Sequence, residues 1–190
     1  NDIDKDAVAT YRENIGDHIV CDDIKNIDIS HIPDADVVVG GFPCQGFSMA
    51  NRLRTLEDER NQLYRFFYET IKLKQPKFFI AENVKGILSL GKGEAIRQIM
   101  EDFKDAGYLT SVNLVNMANY GVPQTRQRVL IIGQRNDLGP TMLFHFPDPT
   151  HAKDGGLLPK WVSIKDAIDH FPDPDTENDV LNHTYSAYKV

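Results

Sequence analysis

The stretch Asp36-Val-Val-Val-Gly-Gly-Phe-Pro-Cys44-Gln-Gly-Phe-Ser48 decides the fold. Val37 to Val39 is a short apolar run, which reads as a buried strand of a parallel sheet, and two glycines end it. Gly40 and Gly41 have no Cβ, so the backbone there can turn or approach a ligand closely. Pro43 fixes its own φ and keeps the residue before it extended, so Cys44 is presented on a stiff loop past the strand's carboxyl end. Ligands of open α/β sheets bind at that edge. A thiol held there is a candidate nucleophile. A free cysteine is as often a small buried apolar residue, and a Pro-Cys pair alone does not choose between the two.

Downstream, Met49 to Glu59 is polar, carries Arg52 and Arg54, and has no periodic apolar face. A loop of that length is either a lid over a site or a solvated connection. Leu63, Phe66, Phe67, Thr70 and Ile71 then recur at helical spacing up to Gln75-Pro76, where a helix must stop. Lys77 to Ala81 reads as a second buried strand that delivers Glu82-Asn83-Val84 to the same sheet edge as Cys44. A carboxylate flanked by apolar residues has its charged form disfavoured and suits a general acid; capping the next turn is the other role open to Glu82. Ile96, Ile99, Met100 and Phe103 mark an amphipathic helix closed by Gly107, and Tyr108 to Val115 and Val129 to Gly133 read as further strands. Between those strands, Arg126 and Arg128 are two apart, so an extended backbone points both to one side. An isolated Arg-x-Arg is equally a pair of surface salt-bridge partners.

Upstream, Asp4 can cap a short helix whose apolar face is Ala7, Val8 and Tyr11, and His18 to Val20 reads as a brief strand. Asp2 and Asp23 occupy strand-end positions, where a carboxylate can accept both hydroxyls of a ribose; a helix lead-in and a solvated turn account for them as well.

Composition bounds the rest. The 190 residues are 41% hydrophobic and 26% charged, an ordinary globular balance. No apolar stretch approaches the ~20 residues of a membrane span. Cys21 and Cys44 form no metal-ligand or CxxC pattern, so no metal is expected and a reducing, cytoplasmic setting is. The net charge of −7 argues against this chain gripping nucleic acid by itself. The first residue is Asn1 rather than methionine, which leads us to expect an upstream segment. Past Arg135 the texture changes to proline-punctuated sequence with one helix, about Val162 to His170. That change divides the chain into a part over 1–148 and a connection over 149–190.

Taken together and in this order, these segments resemble the C5-cytosine-specific DNA methyltransferases. Gly-Gly-Phe-Pro-Cys44-Gln-Gly-Phe-Ser48 is similar to the family's nucleophile loop, Glu82-Asn83-Val84 to its acidic triplet, and Gln124-Thr-Arg126-Gln-Arg128 to its Gln-x-Arg-x-Arg motif. Asn1-Asp2-Ile3-Asp4 and Asp22-Asp23-Ile24 resemble its cofactor-side segments. The likeness runs from Asn1 to about Asp137 and continues more weakly from Val162 to Tyr185. It implies an α/β fold: a doubly wound, mostly parallel sheet of the S-adenosylmethionine-dependent methyltransferase type with a terminal antiparallel hairpin. That sheet is expected to be incomplete here, about five strands without the first, so that the resemblance implies a partial catalytic domain over 1–148 and a connection into a truncated target-recognition region over 149–190.

The resemblance also implies chemistry. Cys44 would add to C6 of cytosine, Glu82 would act at N3, Arg128 would contact O2, and Arg126 would orient the nucleophile and a backbone phosphate. For the cofactor S-adenosylmethionine, Asp2 would bind the ribose and Asp23 the adenine amino group, with Ile3, Ile24, Pro43 and Leu63 lining the pocket. Asp2 stands where the family usually has glutamate; one methylene less still leaves a ribose acceptor. The partner implied is double-stranded DNA whose target base is flipped out, in a restriction–modification setting. Methylation of tRNA, or service as half of a split enzyme with a complementing chain, are the other readings. The family's glycine-rich first loop, most of its target-recognition region and its carboxyl-terminal motifs have no counterpart in the chain. By itself it is expected to be inactive, to bind the cofactor weakly if at all, and to be prone to oligomerise through exposed sheet edges.

Overall fold

The computed structural model describes residues 1–43, 62–139 and 144–172. Cys44 and the polar loop after it lie outside the described residues. By contacts the chain divides into two units, one of residues 1–115 and 127–147 and one of residues 116–126 and 148–190.

The first unit is built on a four-stranded sheet of order β1-β2-β4-β3, with β1 Val37–Gly40, β2 Phe78–Val84, β3 Tyr108–Asn116 and β4 Gln127–Arg135. β1 and β2 run parallel, Val37 opposite Phe78 through Gly40 opposite Ala81, and β2 and β4 run antiparallel, Phe79 opposite Gly133 through Val84 opposite Arg128. The strand expected over His18 to Val20 does not form. Cys21 makes a single parallel bridge with Asp2, and two residues in register are too few to hold a ladder. β2 is longer than expected. Glu82, Asn83 and Val84 lie within the strand rather than past its end, because β4 continues to pair with them.

The sheet's core face alternates along β2 as Phe79, Ala81 and Asn83, all buried, with Phe78, Ile80 and Glu82 on the opposite face. Helices α2 (Gln62–Lys74) and α3 (Glu94–Asp105) supply the core's other half. Ile71, Ile99 and Phe103 are fully buried at the spacing the sequence predicts, and Phe79 and Phe103 pack with ring centroids 4.2 Å apart. An aromatic contact of this kind contributes about 0.5–1.5 kcal/mol beyond area burial. Opposite Phe79 stands Gly133, where a Cβ would lie 1.9 Å from the Phe79 ring, so only glycine lets the ring cross β4. Tyr64, absent from the predicted core, is buried too; its hydroxyl donates to Asp102 of α3 at 2.7 Å. Asp4 caps α1 (Lys5–Asn14) by accepting from the backbone of Asp6 and Ala7, and that helix buries Val8.

The second unit holds the turn Met117–Tyr120 and the short helix α4 (Ile164–Ile168), with a capping box between Ser163 and Asp166. It is shorter than the helix expected there. No helix among the described residues is long and apolar enough to cross a membrane.

Candidate active site

The register of β1 against β2 builds the site. Gly40 is opposite Ala81, so the next step along each chain brings Gly41 beside Glu82 and Phe42 beside Asn83. The contacts follow that alignment. A Cβ at Gly41 would stand 3.2 Å from Glu82 Oε2, and Asn83 Nδ2 donates to the Phe42 carbonyl at 2.8 Å. Asn83 is 3% exposed, and its own Oδ1 accepts from the Val84 amide. A buried amide with both ends engaged is a fixed strut, and this one holds the backbone two residues ahead of Cys44.

β4 adds the guanidinium. Leu130 is opposite Glu82 and Arg128 is opposite Val84, so Glu82 and Arg128 are diagonal neighbours on one face. Arg128 Nε lies 2.6 Å from Glu82 Oε1. Among the described residues no acceptor lines up with the Nε–H, so the contact is an ion pair rather than an aligned hydrogen bond, while Nη1 donates to the Gln127 carbonyl at 2.9 Å. The apolar flanks expected to isolate Glu82 are thus interrupted by a cation. Arg126 is the last residue of the 116–126 segment, exposed and joined directly to the first residue of β4.

Beside the same loop, between α2 and β1, a cavity of about 470 Å³ is walled by Ile24, Pro43, Leu63, Phe66 and Val38, with Asn1 at its polar end. That volume is in the range of small-ligand pockets, about 300–1,000 Å³. Three of the sequence-predicted cofactor residues, Ile24, Pro43 and Leu63, therefore share one hollow. Ile3 does not; it is 67% exposed and lies off the wall. Asp2 and Asp23 do not line the cavity either, but each is the chain neighbour of a residue that does, Asn1 and Ile24. Both also show the local role left open for them: Asp2 accepts from the Asp4 amide at 2.9 Å and Asp23 from the Lys25 amide at 3.1 Å.

Over residues 1–189 the chain matches the family model of C-5 cytosine-specific DNA methylases. The chain belongs to that family. It is 45% identical to the type II methyltransferase M.NgoFVII of Neisseria gonorrhoeae over 185 residues, 95% of this chain and 49% of the relative. With the type II methyltransferase M.BspRI of Lysinibacillus sphaericus it is 45% identical over 168 residues, 88% and 39% of the two. This methylase-family chain thus spans about half the length of the curated relatives it matches or less. Among solved structures it is similar to a prophage-encoded DNA modification methyltransferase from E. coli, with a TM-score of 0.66 and 30% identity over 90% of this chain and 47% of that one. The Spodoptera frugiperda DNMT2 structure, at 20% identity and a TM-score of 0.59 over 77% and 46%, shares the fold. The sheet is an incomplete methyltransferase fold.

Sequence reasoning missed Asn83 and Phe42 as parts of the site. A polar residue inside an otherwise apolar strand was the available signal, because a buried amide must find partners.

Proposed function

We propose that the chain forms the central part of an enzyme that methylates C5 of cytosine in double-stranded DNA, with S-adenosylmethionine as donor, in a restriction–modification setting. The observation that carries this reading is the Glu82 carboxylate beside Gly41 on one side and Arg128 on the other, with Gly41 three residues ahead of the proline-stiffened Cys44 in sequence.

Cytosine C5 is a poor nucleophile until electron density is pushed onto it. The Cys44 thiolate adds to C6, forming an S–C bond, while Glu82, entering the step as the carboxylic acid, delivers its proton to N3 and takes on the negative charge that would otherwise build on the ring. Arg128 keeps the carboxylate aimed and presents its remaining N–H groups to O2. C5 then takes up the methyl group, loses its proton to a base, and the S–C6 bond breaks as Glu82 recovers the N3 proton. S-adenosylmethionine supplies the electrophilic methyl when bound. The apolar walls at Ile24, Pro43, Leu63 and Phe66 suit a flat adenine, and Asp2 and Asp23, adjoining that hollow, suit its hydroxyls and amino group. A stacked base is out of reach of a thiol on a loop, so the target nucleotide must leave the duplex, with Arg126 receiving its phosphate.

The test is Cys44→Ala in the full-length protein, assayed for methyl transfer to duplex DNA and for a covalent complex with duplex containing 5-fluorocytosine. Both should vanish while DNA binding persists; retained methyl transfer would remove Cys44 as the nucleophile.

A further inference from the structure

Within the second unit, the segment that ends at Arg126 is tied down at both ends. At its neck the Met117 amide donates to the Arg126 carbonyl at 3.0 Å. At its far side, the Asn119 carbonyl accepts from the amides of Thr150 and His151, each at 2.9 Å. The Asn119 side chain reaches the other way, its Oδ1 accepting from the indole Nε1 of Trp161 at 3.0 Å. Trp161 is itself anchored, since its backbone amide donates to the Ala152 carbonyl at 3.0 Å, and Ala152 pairs with Lys160. The result is a closed ring of hydrogen bonds through Asn119, 150–152 and Trp161. The His151 imidazole lies beside Gly121, where a Cβ would come within 2.9 Å of its Cε1.

This is more bracing than a surface turn needs. Loops normally satisfy their backbone with water and remain mobile. A tryptophan N–H, by contrast, needs one partner and has only one to give, so the Trp161–Asn119 contact is specific in direction and distance. The Arg126 side chain is exposed, and no hydrogen bond or ion pair to it occurs among the described residues. Its position is set by its backbone, and its backbone is set by the neck at Met117 and the brace at Asn119.

We propose that Asn119 and Trp161 are positioning residues for Arg126, fixing the backbone from which its guanidinium reaches the phosphate of the displaced nucleotide. This rests on the role given to Arg126 above. Neither residue touches the base or the methyl donor; both act by removing freedom that Arg126 would otherwise lose on binding.

The measurement is the single-turnover rate of covalent trapping on duplex DNA with one 5-fluorocytosine, using the full-length protein saturated with S-adenosylmethionine. Fluorine at C5 cannot leave as a proton does, so the adduct persists and is counted directly. Trp161→Phe keeps an aromatic ring and removes only the N–H. Asn119→Leu removes the acceptor, and Asn119→Asp keeps it. Losing one neutral hydrogen bond predicts trapping slowed about 3–10-fold by Trp161→Phe and by Asn119→Leu, with most of the rate restored in Asn119→Asp.

The deciding arm repeats Trp161→Phe in an Arg126→Ala background. If Trp161 works through Arg126, the second change slows trapping by less than about 2-fold there, the non-additivity expected of residues acting as a unit. Equal losses in both backgrounds, or a wild-type rate for Trp161→Phe and Asn119→Leu, overturn the proposal. Arg126→Ala trapping at the wild-type rate instead overturns the role assigned to Arg126, a separate result. Should Trp161→Phe fail to fold by its urea midpoint, Asn119→Leu carries the same comparison.

Discussion

Glu82 and Arg128 stand on neighbouring antiparallel strands, offset by two residues, with 2.6 Å between Oε1 and Nε. A diagonal pair of this kind lies about 7–8 Å apart at the backbone, a gap that two long side chains such as these can span. Oε1 faces Arg128, and Oε2 lies 3.2 Å from where a Cβ on Gly41 would stand.

Glu82→Gln keeps the size and the contact with Gly41 but cannot deliver a proton. Methyl transfer by the full-length protein should fall about 10²–10⁴-fold, the usual contribution of a general acid. DNA affinity measured by fluorescence anisotropy should change little. A comparable loss in affinity would place Glu82 in binding rather than in chemistry.

Gly41→Ala puts a methyl group 3.2 Å from Glu82 Oε2. The carboxylate sits on a side chain that can give by a few tenths of an ångström, so folding should survive. The expected result is a near-unchanged melting temperature with kcat reduced about 10-fold, since a small misplacement of a reacting group is costly. A large drop in melting temperature with normal kcat would contradict it.

Asn83→Ala removes the buried hydrogen bond to the Phe42 carbonyl. Losing one such bond costs about 0.5–1.5 kcal/mol, so the urea midpoint should fall accordingly. The covalent trapping rate should fall with it, because the same hydrogen bond holds the backbone leading to Cys44.

Gly133→Ala forces a Cβ within 1.9 Å of the Phe79 ring, which is itself wedged against Phe103. Overpacking of this kind costs about 1–3 kcal/mol or more. Adding Phe79→Leu to Gly133→Ala should recover part of the loss in the urea midpoint; no recovery would show that the clash is not with the ring.

Alkaline pH should unfold the protein early. Burial, opposed by the Arg135 charge, pushes the Tyr108 hydroxyl up to about 12, and burial beside Asp102 drives Tyr64 further in the same direction. A raised folded-state pKa means the folded protein holds the proton more tightly. Stability is therefore intact below the ordinary tyrosine value near 10 and is lost as pH rises from there through about 12. Urea midpoints between pH 8 and 12 should show this fall, and Tyr64→Phe should make it shallower.

Several elements of the fold were legible from residues alone, and they were legible where physics is local. Two glycines and a proline after three valines announce a strand end with a stiff loop, and Asp4 caps the helix that follows it. Leu63 to Ile71 and Ile96 to Phe103 carry their buried faces at helical spacing. The family motifs lie in this same class, since a motif is a statement about neighbours in sequence.

What the residues did not contain was register. Nothing near Gly41 says that it will lie beside Glu82, and nothing near Arg128 says that it will fall diagonally across from it. Those facts depend on which residue of one strand is opposed to which of another. The core contributes to that choice, since in the observed alignment the Phe79 ring crosses β4 at Gly133, the residue with no Cβ to meet it. The side-chain alternation of a strand is set by its own backbone, but a slip of one residue would turn Glu82 and Arg128 inward at no cost visible in either strand alone. The sequence determined which groups were available for chemistry, and the packing of the sheet decided which of them meet.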